Sequence, residues 1–191
     1  MTKMKRNASL IAMIAAIGTA GSVFAAPASS QLNLNLSSAV NITPVAGLNI
    51  GTISATRDDD AAGASFTIDA ETSATSSVTD TADSKISILE AGAPADLLIT
   101  NAAPKTALTV TLPVNTGLKL NGAGSDVFDL SDFEAFYYKS DFNMDVPVTD
   151  ETGELGFRIG AKVTASTGAA AANTPVPNGV YTADLTVTVA Y

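Results

Sequence analysis

Short runs of alternating apolar and polar residues recur after residue 30, and this pattern restricts the fold more than any other feature. In segment 107–112, Leu108, Val110 and Leu112 alternate with alanine and threonine before Pro113 ends the run. A period of two puts successive side chains on opposite faces of a strand, whereas a helix needs a period near 3.6. The pattern predicts an all-β chain of about eight to ten short strands, which is typical of a two-sheet antiparallel β-sandwich.

One segment departs from the period of two. Its large apolar residues recur at helical spacing: Leu130, Phe133, Phe136 and Tyr137. Ser131 and Glu134 also have the spacing of a helix capping box. The sequence therefore predicts one short helix over residues 130–138 inside an otherwise all-β fold.

The first 25 residues have the pattern of a secretory signal peptide. Lys3, Lys5 and Arg6 precede an uncharged apolar run, and Val23 and Ala25 fit the small-residue positions before a cleavage site. The apolar run is shorter than the roughly 20 residues that a membrane-spanning helix needs. We therefore expect cleavage after Ala25, no membrane insertion of the mature chain, and a location in the periplasm, at the cell surface or outside the cell.

The composition argues against enzymatic, zinc-binding and nucleic-acid-binding functions. The chain has no His and no Cys, which removes the usual general base, thiolate nucleophile and zinc ligands. Three of the 10 basic residues and none of the 19 acidic ones lie in the leader, so the mature chain has a net charge of −12. Such a surface repels phosphate backbones. We expect no enzyme activity, no cofactor and no nucleic-acid partner.

Motifs near both ends of the mature chain carry a family resemblance. One is Leu48-Asn49-Ile50-Gly51-Thr52-Ile53, and the other begins at Gly160-Ala161-Lys162-Val163 and continues through the run 178–191. Together with segment 108–113, they resemble a family of secreted bacterial β proteins of formally unknown function, allied to spore coat protein U and to chaperone–usher pilins. The chain differs in having Ile50 where that family often has Phe, and in lacking the cysteines of the disulfide found in many pilins.

The resemblance implies an immunoglobulin-like antiparallel β-sandwich in an exported structural or adhesion subunit of a fimbria-like assembly. In pilins the sandwich lacks one strand, and the N-terminal extension of a neighbouring subunit fills the groove, which is a form of β-augmentation. A periplasmic chaperone fills the groove before assembly. The expected partners are further copies of this chain or related subunits, with a periplasmic chaperone and an usher.

Two segments are candidates for these roles. The N-terminal extension, residues 26–43, precedes a β-sandwich domain over 44–191 and carries the candidate donor-strand residues Leu32, Leu34, Leu36, Val40 and Ile42. The alternative is that this segment is the first strand of its own sheet. The C-terminal strand carries the candidate groove-edge, chaperone-facing residues Tyr181, Leu185, Val187, Val189 and Tyr191. The alternative for these is an ordinary core strand.

Two further segments have both a functional and a structural interpretation. Aromatic and acidic residues are mixed over Asp126–Asp145, which fits a glycan contact, a calcium site or a packed aromatic cap with an acidic rim. Asp58-Asp59-Asp60 fits a solvated turn better than a calcium-bound one. The alternative function for the whole protein is a monomeric cell-surface or matrix β-sandwich that binds glycan or another surface.

Overall fold

Every regular element in the described part of the chain is a β-strand. The structure, a computed structural model, describes residues 27–29, 31–36, 40–57, 63–120, 122, 126–140, 146–165 and 174–191. Within these ranges the strands are β1 (Pro27–Ser29), β2 (Gln31–Leu36), β3 (Asn41–Ala46), β4 (Asn49–Arg57), β5 (Ser65–Ile68), β6 (Lys85–Glu90), β7 (Ala95–Thr100), β8 (Thr109–Thr111), β9 (Thr116–Leu120), β10 (Asp126–Lys139), β11 (Leu155–Ala165), β12 (Thr174–Pro175), β13 (Tyr181–Thr182) and β14 (Asp184–Ala190). The prediction of an all-β fold is confirmed, whereas the immunoglobulin-like strand order stays a prediction.

The largest sheet has seven strands built around β10 and β11. Its order is β13-β9-β10-β11-β7-β3, and β5 also pairs with β11. β7 pairs with the first half of β11 and β5 with the second half, so these two short strands lie end to end along one edge. All of these pairs are antiparallel.

A four-stranded sheet is centred on β4. Thr52 pairs with Pro27 of β1 and with Glu90 of β6, so β1 and β6 lie on opposite edges of β4. Thr56 pairs with Lys85 of β6 and with Pro175 of β12. β1 and β12 therefore share one edge of β4, each at its own end.

The third sheet contains β2, β14 and β8 in that order. β14 pairs in parallel with β2 and antiparallel with β8. The chain passes from the seven-stranded sheet to this one at Ala183, which separates β13 from β14.

One hydrophobic core joins the three sheets. Ile53 of β4, Phe157 of β11 and Val187 of β14 belong to the same buried cluster. In β11 nearly every residue is buried, so both of its faces are covered, and it is also a central strand with β10 on one edge and β5 and β7 on the other. The alternating residues of β14 show the one-sided pattern instead, with a buried residue at every second position. The alternation therefore marked the strands that cover the core on one face only.

The predicted helix over residues 130–138 is wrong, because this segment is the middle of the long strand β10. The register between β10 and β11 shifts between Ser131 and Glu134, and Asp132 has a φ of 47°. A bulge of this kind resets which positions face the core. Leu130 and Tyr137 are both buried, and Phe133 packs partly buried against the core between them. Alternation interrupted by a bulge thus gave a spacing that mimics a helical face.

The structure also divides one predicted strand. The run of apolar residues from Leu32 to Ile42 contributes to β2 in the three-stranded sheet and to β3 in the seven-stranded sheet. β3 extends across the predicted boundary between residues 43 and 44. The predicted signal peptide, Met1–Ala25, and the turn at Asp58-Asp59-Asp60 lie outside the described residues.

Candidate functional site

The candidate site is the edge of β14 that β2 covers. Leu185, Val187 and Val189 are at most 1% exposed, whereas Asp184 and Thr186 are exposed. β-branched residues at alternate positions favour a strand with one buried face. The sequence therefore builds β14 as a strand with an apolar inner face and a polar outer face.

Both edges of β14 are occupied, but by very different segments. On one edge, Thr188, Val189 and Ala190 pair with Thr109–Thr111 of β8. On the other, six consecutive residues pair with the whole of β2, from Asp184 opposite Gln31 to Val189 opposite Leu36. In the described part of the chain, β14 is the only strand with which β2 pairs.

The structure brings together three of the five predicted donor-strand residues. Leu32 lies opposite Leu185, Leu34 opposite Val187 and Leu36 opposite Val189. The other two lie elsewhere. Val40 is 1% exposed in the core just before β3, and Ile42 in β3 pairs with Ile99 of β7.

The predicted groove-edge residues also divide between sheets. Leu185, Val187 and Val189 lie in β14, but Tyr181 lies in β13 of the seven-stranded sheet. The Tyr181 ring packs edge-on against Phe128 at 5.3 Å between centroids, and its hydroxyl donates a hydrogen bond to the Pro177 carbonyl at 2.6 Å. Burial raises the pKa of Tyr181.

Tyr191 follows β14 and is largely exposed. Its side chain keeps 55% of its accessible surface, and its hydroxyl accepts a hydrogen bond from the Ala103 amide at 3.3 Å. The ring thus contacts the segment after β7 rather than the core face of β14.

Most of the described aromatic side chains of β10 contribute to the core. Phe128 is 1% exposed, and Tyr137 packs against Phe157 with ring centroids 5.7 Å apart. Tyr138 lies on the outer face instead, where its hydroxyl donates to an Asp96 carboxylate oxygen at 2.8 Å. The Arg158 guanidinium carbon lies 5.2 Å from the centre of the Tyr138 ring. Burial and the Asp96 carboxylate raise the pKa of Tyr138 to about 12. These contacts tie three neighbouring strands together across the outer face.

The best-connected acidic side chain forms a tight turn. Asp150 Oδ1 accepts hydrogen bonds from the amide and hydroxyl of Thr152 and from the Glu154 amide, at 2.7 to 2.9 Å. These bonds, with the nearby Lys139 ammonium, lower the pKa of Asp150 to about 2. Lys139 also pairs with Glu154. The group holds the start of β11 against the end of β10.

No metal site stands out in the part of the chain that the structure describes. Within those ranges, no three acidic side chains are grouped closely enough to hold an ion.

An open pocket of about 490 Å³ lies where the chain leaves β13 for β14. It is lined by Thr116, Gly117, Lys119, Gly122, Thr182, Ala183 and Asp184.

Sequence reasoning missed the pairing of β1 with β4. Pro27 lies opposite Thr52, Ala28 opposite Gly51 and Ser29 opposite Asn49, so this pairing falls inside the motif Leu48–Ile53. Gly51 has a φ of 81°, and its amide donates to the Asn49 side-chain oxygen at 2.9 Å. Three residues carry no alternation that periodicity could detect. The Gly inside an apolar run was the available signal of a bulge.

Comparisons with known protein families, with curated proteins and with solved structures found no match to this chain. Within the described ranges, no helix has the length and apolar character needed to cross a bilayer.

Proposed function

We propose that this protein is an exported, non-enzymatic structural and adhesion subunit, similar to a pilin or a spore-coat-U-like protein. It assembles when strand β2 of one copy takes the place of β2 beside β14 of the next copy. The observation that supports this most is that six of the seven residues of β14 pair with a single segment, β2, near the N-terminus of the mature chain.

The buried inner face of β14 and its backbone hydrogen bonds both favour a covered edge. Leu185, Val187 and Val189 are essentially fully buried, and burying a side chain of this kind contributes about 1.5–3 kcal/mol. An edge left without β2 also leaves backbone donors and acceptors without strand partners, which favours pairing with another chain. A second copy carries the same β2 sequence, so its β2 can form the same residue pairs with β14. The balance between pairing within one chain and pairing between two chains therefore depends on protein concentration.

A subunit whose own β2 has left β14 needs a partner that covers this edge until β2 of the next copy arrives. A periplasmic chaperone with an exposed strand, acting with an usher, supplies such a cover by β-augmentation. The exposed Tyr191 at the end of β14 is the side chain that we assign to this contact. The net charge of −12 after removal of the leader supports a protein partner over nucleic acid.

The test uses the mature chain from residue 26, followed by light scattering after size exclusion across a range of concentrations. We expect chains of subunits whose length grows with concentration. Leu34→Asp places a charge opposite the buried Val187 and should abolish assembly, whereas Asn33→Ser, opposite the exposed Thr186, should not. A wild-type chain that stays monomeric at every concentration, with and without the chaperone, would exclude assembly.

The pairing within one chain favours a second candidate function. In the structure the same six pairs are made between β2 and β14 of a single molecule. Such a molecule is a complete monomeric surface or matrix β-sandwich, which binds glycan or another surface without polymerising. Amide hydrogen exchange separates the two candidates. Concentration-independent protection of residues 31–36 favours the monomer, and protection that appears only on assembly favours the subunit.

A further inference from the structure

The N-terminal segment pairs with two sheets, not one. β1 adds to the edge of β4 in the four-stranded sheet, and β2 adds to the edge of β14 in the three-stranded sheet. One residue separates the two strands along the chain. If β1 and β2 leave their places, the edges of β4 and β14 are therefore uncovered together. A segment from another copy that replaces them must fit both edges.

The β4 edge is shaped to receive a particular strand. Between Ala28 and Ser29 the register skips Ile50, so β4 is bulged where β1 meets it. Gly51 lies at this bulge with a left-handed φ of 81°, and Leu48, Ile50 and Ile53 anchor the surrounding backbone in the core. On the edge of β4 opposite to β1, a Cβ at Gly51 would lie 2.2 Å from the Glu90 carbonyl oxygen. The end of β6 therefore packs tightly against the backbone of Gly51 and restricts its movement.

We propose that the motif Leu48–Ile53 is the second half of the acceptor site, and that β1 and β2 of an incoming copy bind as a two-part connector. The proposal rests on the proposed function, since it concerns the segment that is exchanged. It adds a named acceptor surface, the β4 edge at Asn49–Thr52, whose occupant is Pro27–Ser29 of a second copy of this chain. It also gives the motif a role that its buried residues alone do not explain.

Two linked contacts give a physical reason for the arrangement. Once β2 has paired, the pairing of β1 becomes intramolecular, and linkage of this kind raises overall binding by roughly 10²–10⁴-fold when both contacts form together. β1 alone has only three paired residues, too few to hold a partner by itself. Its contribution is to fix register, because a strand shifted by two residues along β14 would lose the bulged contact at β4.

Disulfide trapping tests this directly, because the chain contains no cysteine of its own. Two full-length mature variants, Ser29→Cys and Asn49→Cys, are mixed under assembly conditions and oxidised. These residues are opposite each other in β1 and β4, so a disulfide between two molecules reports β1 of one copy on β4 of another. A second mixture, Asn33→Cys with Thr186→Cys, reports β2 of one copy on β14 of another.

The two mixtures separate failure of this inference from failure of the proposed function. We expect covalent dimers in both, and none in the mismatched mixture of Ser29→Cys with Thr186→Cys. A dimer from the β2 pair without one from the β1 pair overturns the two-part connector and leaves strand exchange intact. If neither mixture forms dimers while the double variants form disulfides within one molecule, the segment stays in its own chain and both proposals fail.

Discussion

Replacing Gly51 by alanine tests whether the bulge of β4 is as tightly packed as the structure indicates. Gly51 has a φ of 81°, and an added Cβ would lie 2.2 Å from the Glu90 carbonyl oxygen and 2.8 Å from the backbone of Ala91 and Gly92. Neither the backbone angle nor the space suits an L-residue. The end of β6 must move, or Gly51 must change its φ and disturb the pairing with β1.

The expected cost has two parts. A non-glycine residue in the left-handed region costs roughly 1–2 kcal/mol. Overpacking against a fixed backbone adds about 1–3 kcal/mol. Their total of roughly 2–5 kcal/mol is a large fraction of the 5–15 kcal/mol by which folded domains are usually stable.

Gly122 offers a matched control within the same chain. Its φ is 72°, but among the residues that the structure describes the atom nearest to an added Cβ would be the Thr182 hydroxyl oxygen, at 3.5 Å. Gly122→Ala therefore incurs the backbone cost of roughly 1–2 kcal/mol without the steric one. The comparison isolates the close approach of β6.

The assay is urea unfolding of the two variants and the wild-type mature chain, followed by far-ultraviolet circular dichroism. Gly51→Ala should lose at least about 1 kcal/mol more than Gly122→Ala, which is the lower bound of the overpacking cost. Equal losses of unfolding free energy in the two variants would mean that β6 does not restrict the bulge of β4 at Gly51. The β4 edge would then not be the rigid acceptor that the structure indicates.

Three further predictions follow from single side chains. Thr149→Val should cost about 1–3 kcal/mol in urea unfolding, because the buried hydroxyl donates to the Ala103 carbonyl at 2.6 Å and accepts from the Thr106 amide at 2.9 Å; an unchanged stability would contradict this role. Phe157→Ala should cost about 3–5 kcal/mol, since the ring is fully buried in the core, and a loss below 1 kcal/mol would contradict that burial. Asp150 has a pKa lowered from 3.8 to about 2, so the stability that its carboxylate contributes is complete above pH 3.8 and is lost as the pH falls through about 2. Asp150→Asn should therefore flatten this part of the stability–pH curve. An unchanged curve would show that the Asp150 carboxylate does not cause the pH dependence.

The fold class followed from the sequence because alternation records which face of a strand is buried. β5, β7 and β14 each have buried residues at alternate positions and lie where the alternation predicted strands. β10 has a helix-like pattern because its bulges shift the buried positions, so that alternation becomes a spacing of three and then four residues. A bulge depends on the partner strand, which a single chain segment does not reveal.

The site was predictable in part for a related reason. Alternation selected Leu32, Leu34 and Leu36, and the structure aligns them with β14. The same alternation also selected Val40 and Ile42, which belong to another part of the fold. Periodicity can mark a strand, but strand partners are fixed by the tertiary fold. That is why neither the parallel pairing of β2 nor the bridging position of β1 could be derived from the pattern.

The two proposed functions compete for the same nine described residues, those of β1 and β2, and this links stability to assembly. In the monomer β1 and β2 pair with two sheets of their own chain, so their release weakens both the β4 edge and the β14 edge. In an assembly the same edges are covered by a neighbour, and a partner that binds only the folded state stabilises it in proportion to the logarithm of its concentration. A subunit that exchanges this segment must therefore become more stable as its concentration rises. A self-complete monomer keeps one unfolding free energy at every concentration, because no contact that it needs comes from another molecule.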